Sequence, residues 1–201
     1  MSRDMVEQLL AELSEWLDFQ ECDPVEWVIC GGVALILQDL RPRTTRDVDV
    51  LGEWNPAGLE IALIDDFPEP VKHCIRRVVQ NHPHLEGFGT RWINLGASHL
   101  ARCGLPEGYE TRIVTRHFGD KLTLHLLHRD DLVPLKLYAA SDDHSGRQEV
   151  HLEDLKALEP TFEELDRAVA WVRTLPDFEQ KRAELNQVVR NLGYDDLAYY
   201  I

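Results

Sequence analysis

Two glycines followed at a set distance by two aspartates constrain this chain more than any other feature. In Cys30-Gly31-Gly32-Val33-Ala34 the glycine pair is followed, after ten intervening residues, by Arg43-Thr44-Thr45-Arg46-Asp47-Val48-Asp49-Val50. The aspartates sit in an apolar run, Val48-Val50-Leu51, that reads as a buried strand over 47–51. Side chains two apart on a strand share a face, so both carboxylates project together. Like charges held together in a low-dielectric site are unfavourable unless a cation compensates, and paired carboxylates suit a hard ion such as Mg²⁺ or Mn²⁺. The glycines fall where the short apolar strand Trp27–Cys30 turns into the helix carrying Val33 to Leu37. Glycine lets backbone amides approach an anion closely. Arg43 and Thr45, in an arginine-rich loop over 40–46, are placed to reach phosphate oxygens. Together these parts suit a nucleoside triphosphate and its metal.

The rest of the pattern defines the frame. Met5, Val6, Leu9, Leu10, Leu13, Trp16 and Leu17 recur at helical spacing over 3–18. Helices are expected over 56–65 and 70–80, a loop over 81–90, and strands over 91–95, 110–115 and 121–127. From Leu132 onward the periodicity is helical: 132–141, 148–158, 161–173 and 178–192. Thr161 and Glu164 form a capping-box pattern, and Asp130 or Asp131 is expected to cap the first of these helices. The fold class is therefore α/β (α+β), a mixed twisted sheet flanked by helices. The expected division is a core over 1–130 with its N-terminal helix, and a helical part packed on it over 131–201.

Charge and composition exclude several functions. The formal net charge is −15, so binding to nucleic acid through a globally basic surface is excluded; a local patch from Arg41, Arg43, Arg46, Arg76 and Arg77 is not. No apolar run has membrane-spanning length and the start of the chain does not read as an export signal, so a cytoplasmic location is expected. Cys22, Cys30, Cys74 and Cys103 form no CxxC pair and read as buried thiols. His82-Pro83-His84 lacks four-ligand spacing and reads as a solvent-exposed loop. Trp16, Trp27 and Trp171 read as core.

The segment Gly31–Asp49 resembles the active-site signature of the DNA polymerase β-like nucleotidyltransferase superfamily. Its Arg-x-Thr-x-Asp-x-Asp form resembles the abortive-infection toxin (AbiEii-type) branch and related bacterial proteins. Leu135-Lys136-Leu137-Tyr138-Ala139-Ala140 is similar to that superfamily's lysine motif, and His151-Leu152-Glu153-Asp154-Leu155 to the acidic motif on the next helix. The resemblance implies that Gly31 and Gly32 cradle the β- and γ-phosphates and that Asp47 and Asp49 bind Mg²⁺ (or Mn²⁺). It implies that Lys136 contacts the triphosphate and that Asp154 orients Lys136 or the acceptor. The implied reaction transfers a nucleoside monophosphate to a hydroxyl of a tRNA, a protein or a small molecule, with an antitoxin as a partner in a toxin–antitoxin pair. Catalytic members carry a third carboxylate on a later strand. Here the expected strand is Arg91-Trp92-Ile93-Asn94-Leu95, with Asn94 at that position as a third metal ligand. An amide brings no negative charge, so a catalytically impaired protein that binds nucleotide or a protein partner is the alternative. A nucleotide-sugar glycosyltransferase using Asp47 and Asp49 is disfavoured by the glycine pair and the lysine helix. A lone Lys136 would otherwise read as an exposed side chain, and Arg147 and His151 as surface pairs with Asp154.

Overall fold

A computed structural model describes residues 1–201 except Arg43, Glu86, Phe88 and residues 143–145, and leaves the side chains of His84 and Thr90 undescribed. The chain divides into two compact units. The first comprises Met1–Arg102 and Gly108–His128, the second Cys103–Glu107 and Arg129–Ile201.

The first unit is built on a six-stranded mixed sheet. Its elements are α1 (Arg3–Phe19), β1 (Val25–Cys30), α2 (Gly31–Leu37), β2 (Val48–Asn55), β3 (Glu60–Ala62), α3 (Glu69–Asn81), β4 (Ile93–Asn94), α4 (Ser98–Cys103), β5 (Val114–Phe118) and β6 (Leu122–Leu126). The strand order is β3-β2-β1-β6-β5, and β4 pairs with the opposite half of β2 from β3 along the same edge. β1 runs parallel to β6 and antiparallel to β2. One sheet face carries Trp27, Leu122, Leu124 and Leu126, all buried, with α1 packed against β5 and β6. The helical stripe Val6, Leu9, Leu10, Leu13 and Leu17 supplies the opposing layer, and Ser2 caps α1 by accepting from the Met5 N–H;.

A β-bulge interrupts the β1–β2 ladder. Val28 pairs with Gly52, but Ile29 pairs with Val50 and Cys30 with Asp49, so Leu51 is the extra residue. Val28 and Cys30 share a face of β1, so their partners Gly52 and Asp49 share that face too, although three residues apart.

Several sequence expectations need correction. Residues 56–65 are no helix: β2 and β3 form a hairpin, pairing Trp54 with Ile61 and Asn55 with Glu60. The Asn55 side chain accepts from the Ala57 N–H at 3.2 Å and Leu59 takes a left-handed φ of 49°. Leu59 is exposed, so a helix here had no apolar stripe to bury;. Strand β4 is two residues long, inside the expected 91–95. Residues 109–111 form a helical turn, and the strand begins at Val114. The strand expected from Asp47 begins at Val48. Among the cysteines Cys103 is exposed rather than buried. The Cys74 thiol is pushed up to about 12 by burial and by neighbouring Cys22. Trp27 is core, but Trp16 and Trp171 are half-buried. His82 is not solvent-exposed either: its Nε2 meets Glu12 Oε2 on α1 at 2.5 Å. Burial opposes ionisation of Glu12, but hydrogen bonds from His82, Asn81 and Trp16 prevail and hold its carboxyl below the usual value;.

The second unit is helical: α5 (Arg129–Ala140), α6 (Gln148–Leu158), α7 (Phe162–Val172), α8 (Phe178–Asn191) and α9 (Asp195–Tyr199). α5 packs against α6, α7 and α8. This accounts for its being buried on nearly every side, from Asp131 through Tyr138. It begins at Arg129, so Asp130 and Asp131 lie in its first turn, not at its cap. The capping box of α7 forms as its sequence predicts, with the Thr161 side chain accepting from Glu164 N–H and the Glu164 carboxylate accepting from Thr161 N–H.

Glu164 also accepts from Arg129 Nε at 2.8 Å, tying α7 to α5. Hydrogen bonding by Arg129 holds the Glu164 carboxyl below its usual value. A depressed carboxyl stabilises the fold above its unfolded pKa and loses that contribution as pH falls through the folded value. Glu164→Gln is therefore expected to lower stability by about 1 kcal/mol at pH 7. In denaturant titrations the difference from wild type should shrink as the pH drops below about 4.3.

Candidate active site

β1 ends where the chain must reverse into α2, and Gly31 makes that turn with φ of 72°, a conformation that costs other residues. A second reason for glycine lies on β2. A Cβ at Gly31 would fall onto the Asp49 carboxylate, 3.1 Å from its Cγ and in collision with Oδ2. The Gly31 backbone and the Asp49 carboxylate thus occupy adjoining space. The pairing of Cys30 with Asp49 holds them there. Gly32 follows in the first turn of α2 and is buried.

Asp49 is half-buried on β2, and Asp47 is half-buried one residue before the strand. Thr45 is 4% exposed, and its Oγ1 donates to the Asp47 carbonyl at 3.2 Å. The hydroxyl expected to meet phosphate therefore supports the backbone that carries Asp47. Arg43 lies outside the described residues.

Asn94 sits where the third carboxylate was expected. It pairs with Asp49 across the parallel β2–β4 ladder, and neighbours in register share a face. Its amide is used locally: Oδ1 accepts from Gly96 N–H at 2.8 Å and Nδ2 donates to the Arg91 carbonyl at 3.4 Å. Among the described residues, no group of three or more His, Cys, Asp or Glu side chains is placed to hold a metal. Asp47, Asp49 and Asn94 bring carboxylate and amide oxygens, the donor type that Mg²⁺ and Mn²⁺ take. Such ions bind through one or two carboxylates and take further ligands from phosphate and water.

In the second unit Lys136 and Asp154 meet. Lys136 Nζ lies 2.7 Å from Asp154 Oδ2, with side-chain exposures of 7% and 0%. The sequence left open an exposed lysine; instead α5 buries it and α6 supplies its counter-charge. His151, one turn before Asp154, places Nδ1 3.5 Å from the same Nζ. His151 is half-buried beside this pair, on the same helix face as Asp154 as i,i+3 spacing signals;.

The mixed sheet flanked by helices, with a glycine turn pressed against a strand aspartate, is that of an α+β protein of nucleotidyltransferase-like fold. The chain belongs to the family described as nucleotidyltransferase of unknown function (DUF6036), which it matches over residues 5–165. No curated protein and no solved structure gives a match. Among the described residues, no helix is long and apolar enough to cross a membrane.

Two outcomes test this geometry. Gly31→Ala is expected to cost about 1–2 kcal/mol from backbone strain alone, more once Asp49 is displaced, as read by thermal melting. Lys136→Met strands a buried carboxylate and is expected to cost about 3–5 kcal/mol, whereas adding Asp154→Leu should recover much of that loss. A double-mutant cycle in denaturant measures it; additive losses would show that the pair is not coupled.

Proposed function

We propose that this protein is a metal-dependent nucleotidyltransferase that moves a nucleoside monophosphate from a nucleoside triphosphate to a hydroxyl acceptor, releasing pyrophosphate. The observation that carries the reading is the contact of the Asp49 carboxylate with the Gly31 backbone, which puts a hard anionic ligand beside a bare backbone surface. In this reading Gly31 and Gly32 receive the phosphates, joined by Arg43. Thr45 keeps Asp47 in position. Asp47 and Asp49 hold Mg²⁺ or Mn²⁺, with Asn94 offering an amide oxygen. The bound ion would neutralise phosphate charge and favour departure of pyrophosphate. The resemblance assigns Lys136 a contact with the triphosphate, and within its own unit Asp154 holds its ammonium in one direction. Burial supports that role, because a lysine fixed by a buried carboxylate spends less side-chain entropy when its ligand arrives.

The acceptor we favour is a tRNA end or a protein hydroxyl, and the biological setting a toxin controlled by an antitoxin partner. Both rest on the resemblance of the Arg-x-Thr-x-Asp-x-Asp segment to abortive-infection toxins. The net charge of −15 weighs against extensive contact with RNA;.

Asn94 favours a second reading, a nucleotide-binding relative with little turnover. Its amide is committed to Gly96 and Arg91 and brings no charge to Asp49. Incubation with Mg²⁺ or Mn²⁺, each α-labelled nucleoside triphosphate and total tRNA or cell extract separates the two. Transfer that falls at least a hundredfold in Asp47→Asn and Asp49→Asn supports the enzyme. Binding without transfer, with transfer gained in Asn94→Asp, supports the impaired relative. A protein that binds none of the triphosphates has neither function.

A further inference from the structure

Away from the glycine turn, the sheet carries a second ordered row of polar groups. Thr115 on β5 pairs directly across the ladder with His125 on β6. His125 Nδ1 lies 3.2 Å from Thr115 Oγ1, and its Nε2 lies 2.8 Å from Glu26 Oε2 on β1. A carboxylate can only accept, so in the neutral imidazole Nε2 carries the proton and Nδ1 accepts from the threonine hydroxyl. The imidazole side chain is 8% exposed, and Trp54 covers it with ring centroids 5.2 Å apart. Thr115 itself is exposed, on the strand that ends the sheet order.

A nearby pair shows what this row adds. His117 and Thr123 also meet across β5 and β6, at 3.0 Å, but His117 is exposed. Only the Thr115 row joins a hydroxyl to a buried imidazole whose far nitrogen is bonded to a carboxylate. Hydroxyl, base and orienting acid in that order are the parts of an activated oxygen nucleophile.

We propose that Thr115 is a modification site, the acceptor hydroxyl for nucleotidyl transfer by a second copy of this protein. The proposal rests on the nucleotidyltransferase reading. In the step, Thr115 Oγ forms a bond to the α-phosphorus of a nucleoside triphosphate and the bond to the bridging oxygen breaks. Pyrophosphate departs with that oxygen, and the hydroxyl proton passes to His125 Nδ1. The resulting imidazolium is held by Glu26. Register places Thr115 on the same sheet face as Asp49: Thr115 with His125, His125 with Val28, and Cys30, two beyond Val28, with Asp49. The two lie three strand spacings apart across the sheet, about 14 Å, and are offset by two residues along it, too far for a nucleotide held at Asp49 to be attacked by Thr115 of the same copy. An exposed end strand instead presents the hydroxyl outward, to another molecule's site.

The test mixes untagged wild-type protein with a tagged Asp49→Asn copy, Mg²⁺ and each nucleoside triphosphate, and maps nucleoside-monophosphate adducts by peptide mass spectrometry. The expected result is an adduct on Thr115 of the tagged copy. It should disappear when that copy also carries Thr115→Ala, persist with Thr115→Ser or Thr123→Ala, and fall at least tenfold with Glu26→Gln. Circular dichroism of each tagged copy confirms folding. Transfer to tRNA, another protein or another residue with Thr115 unmodified overturns the proposal and leaves the nucleotidyltransferase reading intact. Absence of nucleotide binding and of transfer to any acceptor overturns both.

Discussion

The bare α-carbon of Gly31 against the Asp49 carboxylate is the contact around which the first unit is arranged. It requires β1 to end at Cys30, α2 to start without a side chain in its way, and β2 to arrive in the register that sets Asp49 opposite Cys30. Each element has its own local cause: the β-branched and aromatic run of β1, the apolar Val33–Leu37 of α2, and the alternating entry of β2. Only their meeting produces the site. A side chain at position 31 would undo all three together, because the turn needs a positive φ and the neighbouring space is already filled.

The second unit meets a different requirement. α5 is buried almost all round, and a charged residue in such a helix is tolerated only with its counter-charge at hand. Asp154 on α6 meets that requirement for Lys136, and Arg129 with Glu164 does so nearer the surface. A hydrophobic pair would fill the same space at less cost in desolvation. Stability alone therefore does not call for an ionic pair at this place.

Much of this was legible beforehand, and the reasons differ by element. The α1 stripe, the glycine turn into α2 and the Thr161–Glu164 box depend on neighbours within a turn or two, so the sequence displays them. The pairing of Lys136 with Asp154 was legible through motif resemblance, since spacing alone cannot bring two helices together. The β2–β3 hairpin was missed because Asn55-Pro56 starts a turn while Pro near a helix start gives the same letters. β4 was overestimated because two ladder pairs suffice to hold it. The short helices α4 and α9 bury too little to show a stripe. The Thr115–His125–Glu26 row has no local signature, because Glu26 stands 99 residues from His125 in the chain.

The bulge at Leu51 has a consequence for how this sheet can change. By setting Asp49 and Gly52 on one face three residues apart, it divides β2 into two segments of opposite parity;. The acidic end is read in one phase and the hairpin end, with Trp54, in the other. Losing a residue between them would turn one segment inside out relative to the other, whereas lengthening the hairpin beyond Asn55 would leave the aspartate untouched. The insertion thus works as a phase joint. It separates the part of the strand that carries the candidate site aspartate from the part open to drift in length.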